Sequence, residues 1–398
     1  MTESQATAAG EVVVVGAGLA GLRTVEELRS AGYQGAITLI GAEDRPPYDR
    51  PPLSKQLMAG AVDDTTLREE LDSLAATIRL GERAVELAKG VLVTNRASYS
   101  YGRLVIATGA RPIVLPGPGE QLVLRTADDA LALRERLVPG IRLAIVGAGW
   151  IGAELATAAV AKSCQVTVVE AGPAPLASAI GAEVGVLTAP WYEQAGVELL
   201  LDTSVKSVED GGLSFADGTW RPADVVVTAV GVRPEVGWLE SSGIERENGV
   251  AVDRELRSSM AGVYAVGDCA SYWSDLFDRR LRTEHWDGAL RAPAVLAANL
   301  IGGHESYDPV PYFWSEQFGR MVQYVGHHAG ADRLVLRGSP IERRWAACWL
   351  SGERLLAVLT VDTPKDLSQG RRLIAAAAQV DPAKLADPST PLRDAARP

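Results

Sequence analysis

The chain has 398 residues, of which 47% are hydrophobic and 22% are charged, and its formal net charge is −11. This length indicates about two or three domains rather than one core. The negative charge argues against wide contact with nucleic acid or an anionic membrane. No uncharged apolar run approaches the roughly 20 residues that span a bilayer. Residues 1–10 lack the basic and apolar regions of a signal peptide, and we expect a flexible tail there.

The first predicted element is a βαβ unit over residues 11–41. The apolar run VVVV leads into GAGLAG and an amphipathic helix, and ITLI forms the second strand. Such uniformly apolar strands are typical of a parallel sheet that is buried on both faces. YDRPPLSK follows at 48–55, where the prolines predict a stiff loop. The apolar run in RLVIATGARP at 103–112 predicts a strand that leads the chain out of this domain.

The pattern of the first unit recurs over residues 142–170, where RLAIVGAGWIG and VTVVE enclose a second helix. DVVVTAVGVRPE at 224–235 then matches the outline of the earlier exit strand. GVYAVGDCA at 262–270 predicts another buried strand, which ends in Gly-Asp. The internal repeat therefore predicts two nucleotide domains of the same kind.

Beyond residue 305 the apolar residues alternate with polar ones, which predicts antiparallel strands at RMVQYVGH, DRLVLRG, RRWAACWL and RLLAVLTV. GRRLIAAAAQV at 370–380 predicts a helix packed on them. The predicted fold class is α/β, with two Rossmann-like dinucleotide-binding domains and a C-terminal α+β domain. The expected organisation is a tail at 1–10, a first dinucleotide-binding domain at 11–112 and 236–304, a second dinucleotide-binding domain at 113–235 and the C-terminal domain at 305–398.

Each βαβ unit contains a G-x-G-x-x-G turn between its first strand and its helix. The first glycine allows the tight turn, the second lets the backbone approach a pyrophosphate, and the third lets the helix pack on the strand. The phosphates then lie at the helix N-terminus. Two such turns predict two dinucleotide sites. The predicted binding residues are Gly16, Gly18, Leu19, Ala20 and Gly21 in the first turn and Gly147, Gly149, Trp150, Ile151 and Gly152 in the second.

The acid that follows each unit distinguishes the two sites. Glu170 ends the strand VTVVE, where a carboxylate accepts hydrogen bonds from ribose hydroxyls and repels a 2′-phosphate, so we predict NADH rather than NADPH. In the first unit the ribose candidate is Glu43, which could also be a solvated loop acid. Two sites suggest one diffusing and one resident cofactor, and a flavin is the usual resident. Asp268, shortly after the strand VYAV, suits a ribityl hydroxyl.

Cysteine and histidine usage points away from thiol and metal chemistry. Cys164, Cys269 and Cys348 are far apart and form no C-x-x-C motif, which disfavours disulfides and fits a reducing cytosol. The histidines show no metal-ligand spacing, and we predict no metal site. Because an iron–sulfur cysteine pattern is also missing, an iron–sulfur cluster would belong to another protein.

Further stretches complete a pattern that resembles the NADH-dependent ferredoxin reductases of cytochrome P450 and Rieske-type oxygenase systems. They are YDRPPLSK, LRTADDA (124–130), VYAVGDC, EHWDGA (284–289), PYFWSEQF (311–318) and DPAKLADPSTPLR (381–393). The resemblance covers nearly all of the chain. It implies a glutathione-reductase-like fold, FAD and NADH as cofactors and a [2Fe–2S] ferredoxin as electron acceptor, and the cysteine usage described above predicts a cytoplasmic location.

The resemblance also implies roles for individual residues. Arg50 would lie toward the FAD pyrophosphate, and Lys55 would lie near the N5 edge of the flavin ring. Glu154 would pair with Lys55 or face the nicotinamide, unless it is an ordinary surface acid. Trp286 would lie against the flavin near the electron route, unless it is a core residue between domains. The other implied cofactor contacts are Ala84, Thr108, Gly109, Arg125 and Gly231.

Partner recognition is the least constrained feature. The basic clusters at 279–282 and 343–344 would suit an acidic ferredoxin, and Asp287 is expected to add a negative charge to the docking face. Three alternatives stay open. The chain could be a rubredoxin reductase, an NADH oxidase that passes electrons to oxygen, or an NADH-responsive binding protein similar to apoptosis-inducing factor.

Overall fold

The computed structural model describes residues 10–68 and 70–397, so the predicted tail lies almost entirely outside the described residues. The chain forms two compact units. As far as they are described, the residues of the first unit are Met1–Asp49, Thr66–Arg111 and Arg233–Pro311. Those of the second unit are Arg50–Thr65, Pro112–Val232 and Tyr312–Pro398. The domain boundaries given above stay predictions.

The strands are short in the nucleotide-binding part of the chain and longer near the C-terminus. In chain order they are β1 (Val12–Val15), β2 (Ile37–Ile40), β3 (Thr77–Arg79), β4 (Ala84–Ala88), β5 (Val91–Thr94), β6 (Ser98–Ser100), β7 (Arg103–Ile106), β8 (Ala110–Pro112), β9 (Arg142–Val146), β10 (Gln165–Val169), β11 (Glu198–Leu200), β12 (Val205–Glu209), β13 (Gly212–Phe215), β14 (Trp220–Pro222), β15 (Val225–Thr228), β16 (Val232–Pro234), β17 (Val250–Val252), β18 (Val263–Ala265), β19 (Ala270–Ser274), β20 (Arg279–Leu281), β21 (Tyr312–Gln317), β22 (Arg320–Gly326), β23 (Arg333–Gly338), β24 (Trp345–Ser351) and β25 (Arg354–Val361).

The α-helices are α1 (Leu19–Ser30), α2 (Gln56–Ala59), α3 (Ala127–Arg136), α4 (Trp150–Ala161), α5 (Ala177–Ile180), α6 (Ala182–Gly185), α7 (Ala189–Gln194), α8 (Trp286–Leu300), α9 (Pro364–Ala375) and α10 (Pro382–Ala386). Short 3₁₀ turns occur at Pro51–Ser54, Leu71–Leu74, Val186–Thr188, Gly237–Leu239, Gly267–Cys269 and Leu392–Ala395. Among the helices within 10–68 and 70–397, none combines the length and the apolar character needed to cross a bilayer.

The core of the first unit is a parallel sheet with the strand order β18-β7-β1-β2-β3. Strand β1 lies between β2 and β7 and pairs with both in parallel. Every residue of β1 and β2 is buried, which explains the run of four valines in β1 and the largely apolar sequence ITLI of β2. Helix α1 returns the chain from β1 to β2, and α8 packs against α1. The predicted first βαβ unit is therefore present.

The second unit repeats this arrangement with the order β11-β10-β9-β15, again with parallel pairing. Helix α4 joins β9 to β10. The antiparallel meander β12-β13-β14 covers the sheet, and its Leu213 and Phe215 share a core with Ala144 and Val226. The predicted internal repeat, and with it the fold class of two Rossmann-like domains plus a C-terminal α+β domain, is confirmed.

The C-terminal part of the second unit is an antiparallel sheet with the order β21-β22-β25-β24-β23. Trp345 and Trp349 of β24 belong to one buried cluster with Leu176 and Trp191 of the preceding segment. This shared core shows how the C-terminal sheet is held within the second unit. The predicted antiparallel strands are confirmed, whereas β21 was not predicted as a strand.

The helix predicted over residues 370–380 has different bounds in the structure. Helix α9 begins earlier, with Pro364 in its first turn, and it ends at Ala375. Pro is well suited to a first helical position because the missing N–H has no partner there in any helix. After the helix, Ala377 has φ 49° and Ala378 N donates to Leu373 O at 2.9 Å, which turns the chain away from the axis.

Candidate cofactor sites

The first glycine turn joins β1 to α1 and has the geometry that a dinucleotide requires. Gly16 has φ +113°, and an added Cβ there would collide with the carbonyl oxygen of Ala107. An added Cβ at Gly21 would collide with the carbonyl oxygen of Gly16. Gly18 differs, because a Cβ built on it meets no atom within 4 Å. Gly16 and Gly21 therefore close the turn. Gly18, the middle glycine, leaves the N–H groups at the start of α1 open to a phosphate.

Asp268 lies beside this turn within the first unit. It occupies the 3₁₀ turn that directly follows β18. A Cβ built on the preceding Gly267 would lie 3.0 Å from the side chain of Ala20, which with Leu19 begins α1. The close approach brings the loop that carries Asp268, the predicted ribityl-binding residue, next to the predicted pyrophosphate-binding turn. The Arg282 guanidinium donates to the Asp268 carbonyl oxygen at 3.3 Å and supports the loop.

Thr108, Gly109 and Glu43 follow two other strands of the same sheet. Because β18, β7, β1 and β2 are parallel, the residues after them all lie at one edge, where ligands of such sheets bind. Thr108 Oγ1 donates to Glu235 O at 2.6 Å. The Tyr48 hydroxyl donates to the Glu43 carboxylate at 2.5 Å, and Glu43 is half-buried. Glu43 is thus a fixed acceptor rather than a freely solvated acid.

Trp286 and Ala84 lie in other parts of the first unit. Trp286 begins α8, is half-buried, and donates from Nε1 to Asp49 Oδ1 at 2.8 Å. Ala84 is buried at the start of β4 in a separate three-stranded sheet. Asp287 is 7% exposed and accepts from Arg291 at 2.7 Å. The expectation that Asp287 adds a negative charge to a docking face is therefore wrong, since the carboxylate is buried and paired.

The second glycine turn, between β9 and α4, has the same geometry. A Cβ on Gly147, which has φ +105°, would collide with the carbonyl oxygen of Ala229, and one on Gly152 would collide with that of Gly147. A Cβ on Gly149 meets no atom within 4 Å. This turn also fits a dinucleotide pyrophosphate. The predicted residues Trp150 and Ile151 form the first turn of α4.

Glu170 follows β10 and binds the second glycine turn directly. Its Oε2 accepts from Ala148 N and its Oε1 accepts from Gly172 N, both at 2.8 Å. A carboxylate oxygen has two lone pairs, so each oxygen keeps capacity for a ribose hydroxyl. Gly231, with φ +104°, follows β15 at the same edge of the sheet. The structure thus brings Glu170, the glycine turn and Gly231 to one edge of the second unit.

Arg50 and Arg125, both predicted to contact FAD, are joined within the second unit. Arg50 precedes the Pro51–Ser54 turn, and its guanidinium donates to the carbonyl oxygen of Arg125. Arg125 precedes α3, whose N-terminus is closed by a capping box of Thr126 and Asp129. The capping box fixes the backbone at Arg125, and the hydrogen bond fixes Arg50 relative to it.

Lys55 and Glu154 form a buried ion pair. Glu154 is 3% exposed, and Lys55 Nζ lies 2.7 Å from its Oε2. Ser54 Oγ donates to the same oxygen at 2.5 Å, and Ser315 Oγ donates to Oε1 at 2.6 Å. Glu154 is therefore not a surface acid of α4. A buried carboxylate with a lysine and two hydroxyl donors keeps its charge compensated and its orientation fixed.

Sequence reasoning did not assign a role to Ser54 or Ser315. Both regions were recognised as motifs, YDRPPLSK and PYFWSEQF. The spacing in β21 would have indicated Ser315, because positions 315 and 317 lie on one face of a strand and both carry polar side chains. Buried polar side chains on one strand face indicate a hydrogen-bonded partner.

Comparison with known protein families gives two matches. Residues 10–292 match the pyridine nucleotide-disulphide oxidoreductase family, and residues 312–396 match the reductase C-terminal family. The ferredoxin–NAD(+) reductase component of the anthranilate 1,2-dioxygenase system of Burkholderia cepacia is 35% identical, over 96% of this chain and 98% of that protein. The resemblance predicted from the motifs is confirmed.

Solved structures agree with these relatives. The crystal structure of Fdr9 has a TM-score of 0.93 and 47% identity, over 98% of this chain and 100% of that one. The reductase in the covalent putidaredoxin reductase–putidaredoxin complex has a TM-score of 0.93 and 30% identity, over 97% of each chain.

Proposed function

The chain belongs to the pyridine nucleotide-disulphide oxidoreductase family, and on this premise we propose that it is an FAD-dependent NADH:ferredoxin reductase. It is an oxidoreductase whose cofactors are FAD and NADH. The observation that carries the proposal is the pair of glycine turns at the carboxyl edges of two parallel sheets, each open at its middle glycine. One chain thereby offers a place for a resident and for a diffusing dinucleotide.

When bound, FAD supplies a ring that accepts a hydride from NADH and releases the electrons singly. The residues of this chain have to bind the dinucleotides, orient their rings and exclude water. Roles in FAD binding are proposed for Glu43, Thr108, Asp268 and Trp286, and the remaining candidates are Ala84, Gly109, Arg50 and Arg125. Gly231 and Glu170 are proposed for NADH.

Lys55 has the most specific proposed role. Its ammonium group would favour the negative charge that reduction places on the flavin ring. The buried pair with Glu154 at 2.7 Å holds the ammonium in one place, so little reorganisation is needed during the reaction. We expect Lys55→Met to slow flavin reduction by about tenfold or more in anaerobic stopped-flow experiments with NADH. The variant should stay yellow, and a wild-type rate in a yellow variant would remove this role.

The proposed electron acceptor is a [2Fe–2S] ferredoxin that serves a cytochrome P450 or a Rieske-type oxygenase. Support comes from the relatives described above, one of which belongs to a dioxygenase system and another of which forms a complex with putidaredoxin. No contact of this chain with nucleic acid or a membrane is part of the proposal. We propose that the reaction takes place in the cytoplasm, where a reduced thiol such as Cys164 persists.

Of the two basic clusters, 343–344 is the better candidate for ferredoxin docking. Arg343 and Arg344 are exposed at the hairpin between β23 and β24. The cluster at 279–282 is largely used internally: Arg280 donates to the carbonyl oxygens of Val252 and Ser271. Charge reversal at Arg344 should raise the ferredoxin KM several-fold at low salt, whereas reversal at Arg280 should mainly lower stability.

Anaerobic titration of the purified protein with NADH tests the function as a whole. The yellow protein should be bleached by about one equivalent of NADH, and about two equivalents of an oxidised [2Fe–2S] ferredoxin, each accepting one electron, should restore the colour. Restoration by rubredoxin alone or by air alone would favour one of the alternative reductase activities. A bleached protein that reoxidises slowly with every acceptor and changes oligomeric size would favour a binding protein instead.

A further inference from the structure

The carboxylate of Glu154 is held from both sides by different parts of the second unit. Its Oε2 accepts from Lys55 Nζ at 2.7 Å and from Ser54 Oγ at 2.5 Å, and both donors lie in the loop that precedes α2. Its Oε1 accepts from the Oγ of Ser315, a residue of β21 in the C-terminal sheet, at 2.6 Å. We propose that Ser315 and Gln317 are positioning residues that orient Glu154 and, through it, the ammonium group of Lys55. The inference rests on the proposed function of Lys55.

The hydrogen bonds from β21 have a defined direction. Gln317 Nε2 donates to Ser315 Oγ at 3.1 Å, and both side chains are fully buried. A serine hydroxyl carries one proton, so a hydroxyl that accepts from Gln317 is left with its proton for Glu154 Oε1. The amide thus orients the hydroxyl, and the hydroxyl orients the carboxylate. This order explains why two polar side chains occupy one buried face of the strand.

Lys55 depends on Glu154 for its position. The distance of 2.7 Å to Glu154 Oε2 is its shortest polar contact, while Pro51 O lies at 3.3 Å and Ser54 Oγ at 3.4 Å. A lysine side chain is flexible and its ammonium group has no preferred plane, so the partner carboxylate decides where the charge lies. A rotation of the Glu154 carboxylate would therefore displace the charge that the proposed reaction uses.

Strand β21 is a rigid support for this arrangement. It pairs with β22 along its whole length, with Ser315 opposite Val322. The ring of Phe313 packs on Trp150 at 4.3 Å between centroids, and Phe318 N donates to Thr157 Oγ1 at 2.9 Å. Trp150 and Thr157 lie on α4, the helix that carries Glu154. The strand and the helix are thus fixed against each other on both sides of the Ser315–Glu154 bond.

The test compares Ser315→Ala with a matched control, Thr360→Val. Thr360 is a fully buried residue of β25 in the same sheet, and its hydroxyl has no partner among the described residues. We expect Ser315→Ala to lower the midpoint potential of the bound flavin and to slow its reduction by NADH about three- to tenfold, because the Lys55 charge is less well placed. Thr360→Val should leave both quantities at the wild-type value. If Ser315→Ala lowers the thermal stability but leaves the midpoint potential and the reduction rate unchanged, Ser315 has only a structural role.

A double-mutant cycle shows whether the effect passes through Lys55. In a Lys55→Met background, Ser315→Ala should cause no further change of the midpoint potential or the reduction rate. Additive effects would mean that Ser315 acts by another route, and the inference would be lost. Gln317→Met has nearly the same volume and should change the potential in the same direction by a smaller amount. It is the variant to measure if Ser315→Ala does not fold.

The outcomes separate this inference from the proposed function. If NADH does not bleach the wild-type protein, the proposed function fails whatever the variants do. If the wild-type protein is bleached and Lys55→Met lowers the potential while both Ser315→Ala and Gln317→Met match the wild type, only the positioning role is wrong.

Discussion

The two glycine turns are almost the same structure, and the surroundings are what distinguish them. In each turn the first and third glycines are closed by carbonyl oxygens, while the middle one, Gly18 or Gly149, faces open space. Both middle glycines have ordinary extended backbone angles, with φ −82° and φ −75°. The turn alone therefore provides a phosphate site and does not determine which dinucleotide occupies it.

The residues that follow the neighbouring strands differ between the two sheets. At the first turn, Asp268 packs beside α1, and Glu43 is held by Tyr48. At the second turn, the Glu170 carboxylate accepts from one N–H group of the turn, Ala148 N, and from Gly172 N of its own loop. In the proposed assignment, the first edge would offer polar groups from several strands to a resident FAD. The second edge would place Glu170 at the ribose of an exchanging NADH.

The largest expected effect comes from placing a carboxylate at each middle glycine in turn. Because a Cβ at either position meets no atom within 4 Å, we expect Gly18→Asp and Gly149→Asp to fold, but the charge would repel a pyrophosphate. Gly18→Asp should be purified without flavin. Gly149→Asp should stay yellow and bind NADH at least about 100-fold more weakly. The flavin content is measured by the ratio of the flavin absorbance to the protein absorbance. The NADH affinity is measured by titration.

Gly18→Ala and Gly149→Ala are the controls for this pair, since they add the Cβ without the charge. We expect each alanine variant to be much closer to the wild type than the corresponding aspartate variant. A colourless Gly149→Asp protein, or a yellow Gly18→Asp protein, would contradict the assignment of the two sites.

A smaller effect is expected at the ribose of the second site. Glu170→Arg removes the acceptor of the NADH ribose hydroxyls and adds a partner for a 2′-phosphate, so the kcat/KM ratio of NADH to NADPH should fall about 100-fold or more. Glu170→Gln keeps one oxygen that can accept from Ala148 N of the turn, and it should weaken NADH binding without a gain for NADPH. Flavin content should not change in either variant, and a coenzyme preference that stays at the wild-type ratio in Glu170→Arg would exclude Glu170 from the ribose.

The sequence predicted what is local and repeated. The Val and Ile runs, the two turns and the position of Glu170 follow from patterns within about 30 residues of chain, the size of one βαβ unit. The Ser315–Glu154 bond joins residues 161 positions apart, and no local pattern indicates such a contact. The same holds for Asp287, whose charge was expected at the surface and is buried against Arg291. Tertiary packing decides these features, so they became visible only in the structure.

The smallest expected effect uses the cysteines to separate a resident from an exchanging cofactor. Cys269 follows Asp268 at the first site and is fully buried, as is Cys348 in the C-terminal sheet. Burial raises the pKa of the Cys269 thiol above its usual value and that of Cys348 to about 12. Both thiols should therefore react slowly with a thiol reagent at neutral pH, and faster as the pH rises, because the thiolate is the reacting form.

Removal of FAD should speed the labelling of Cys269 a few-fold, because a bound ligand suppresses local opening of its site. Cys348 is the internal control and should keep its rate. Cys164 is half-buried at the start of β10, at the opposite end of that strand from Glu170, and NADH should not alter its labelling. Mass spectrometry of labelled peptides gives the three rates. If removal of FAD raised the labelling rates of Cys269 and Cys348 equally, FAD would stabilise the whole fold. The assignment of FAD to the first site would then gain no support from the labelling.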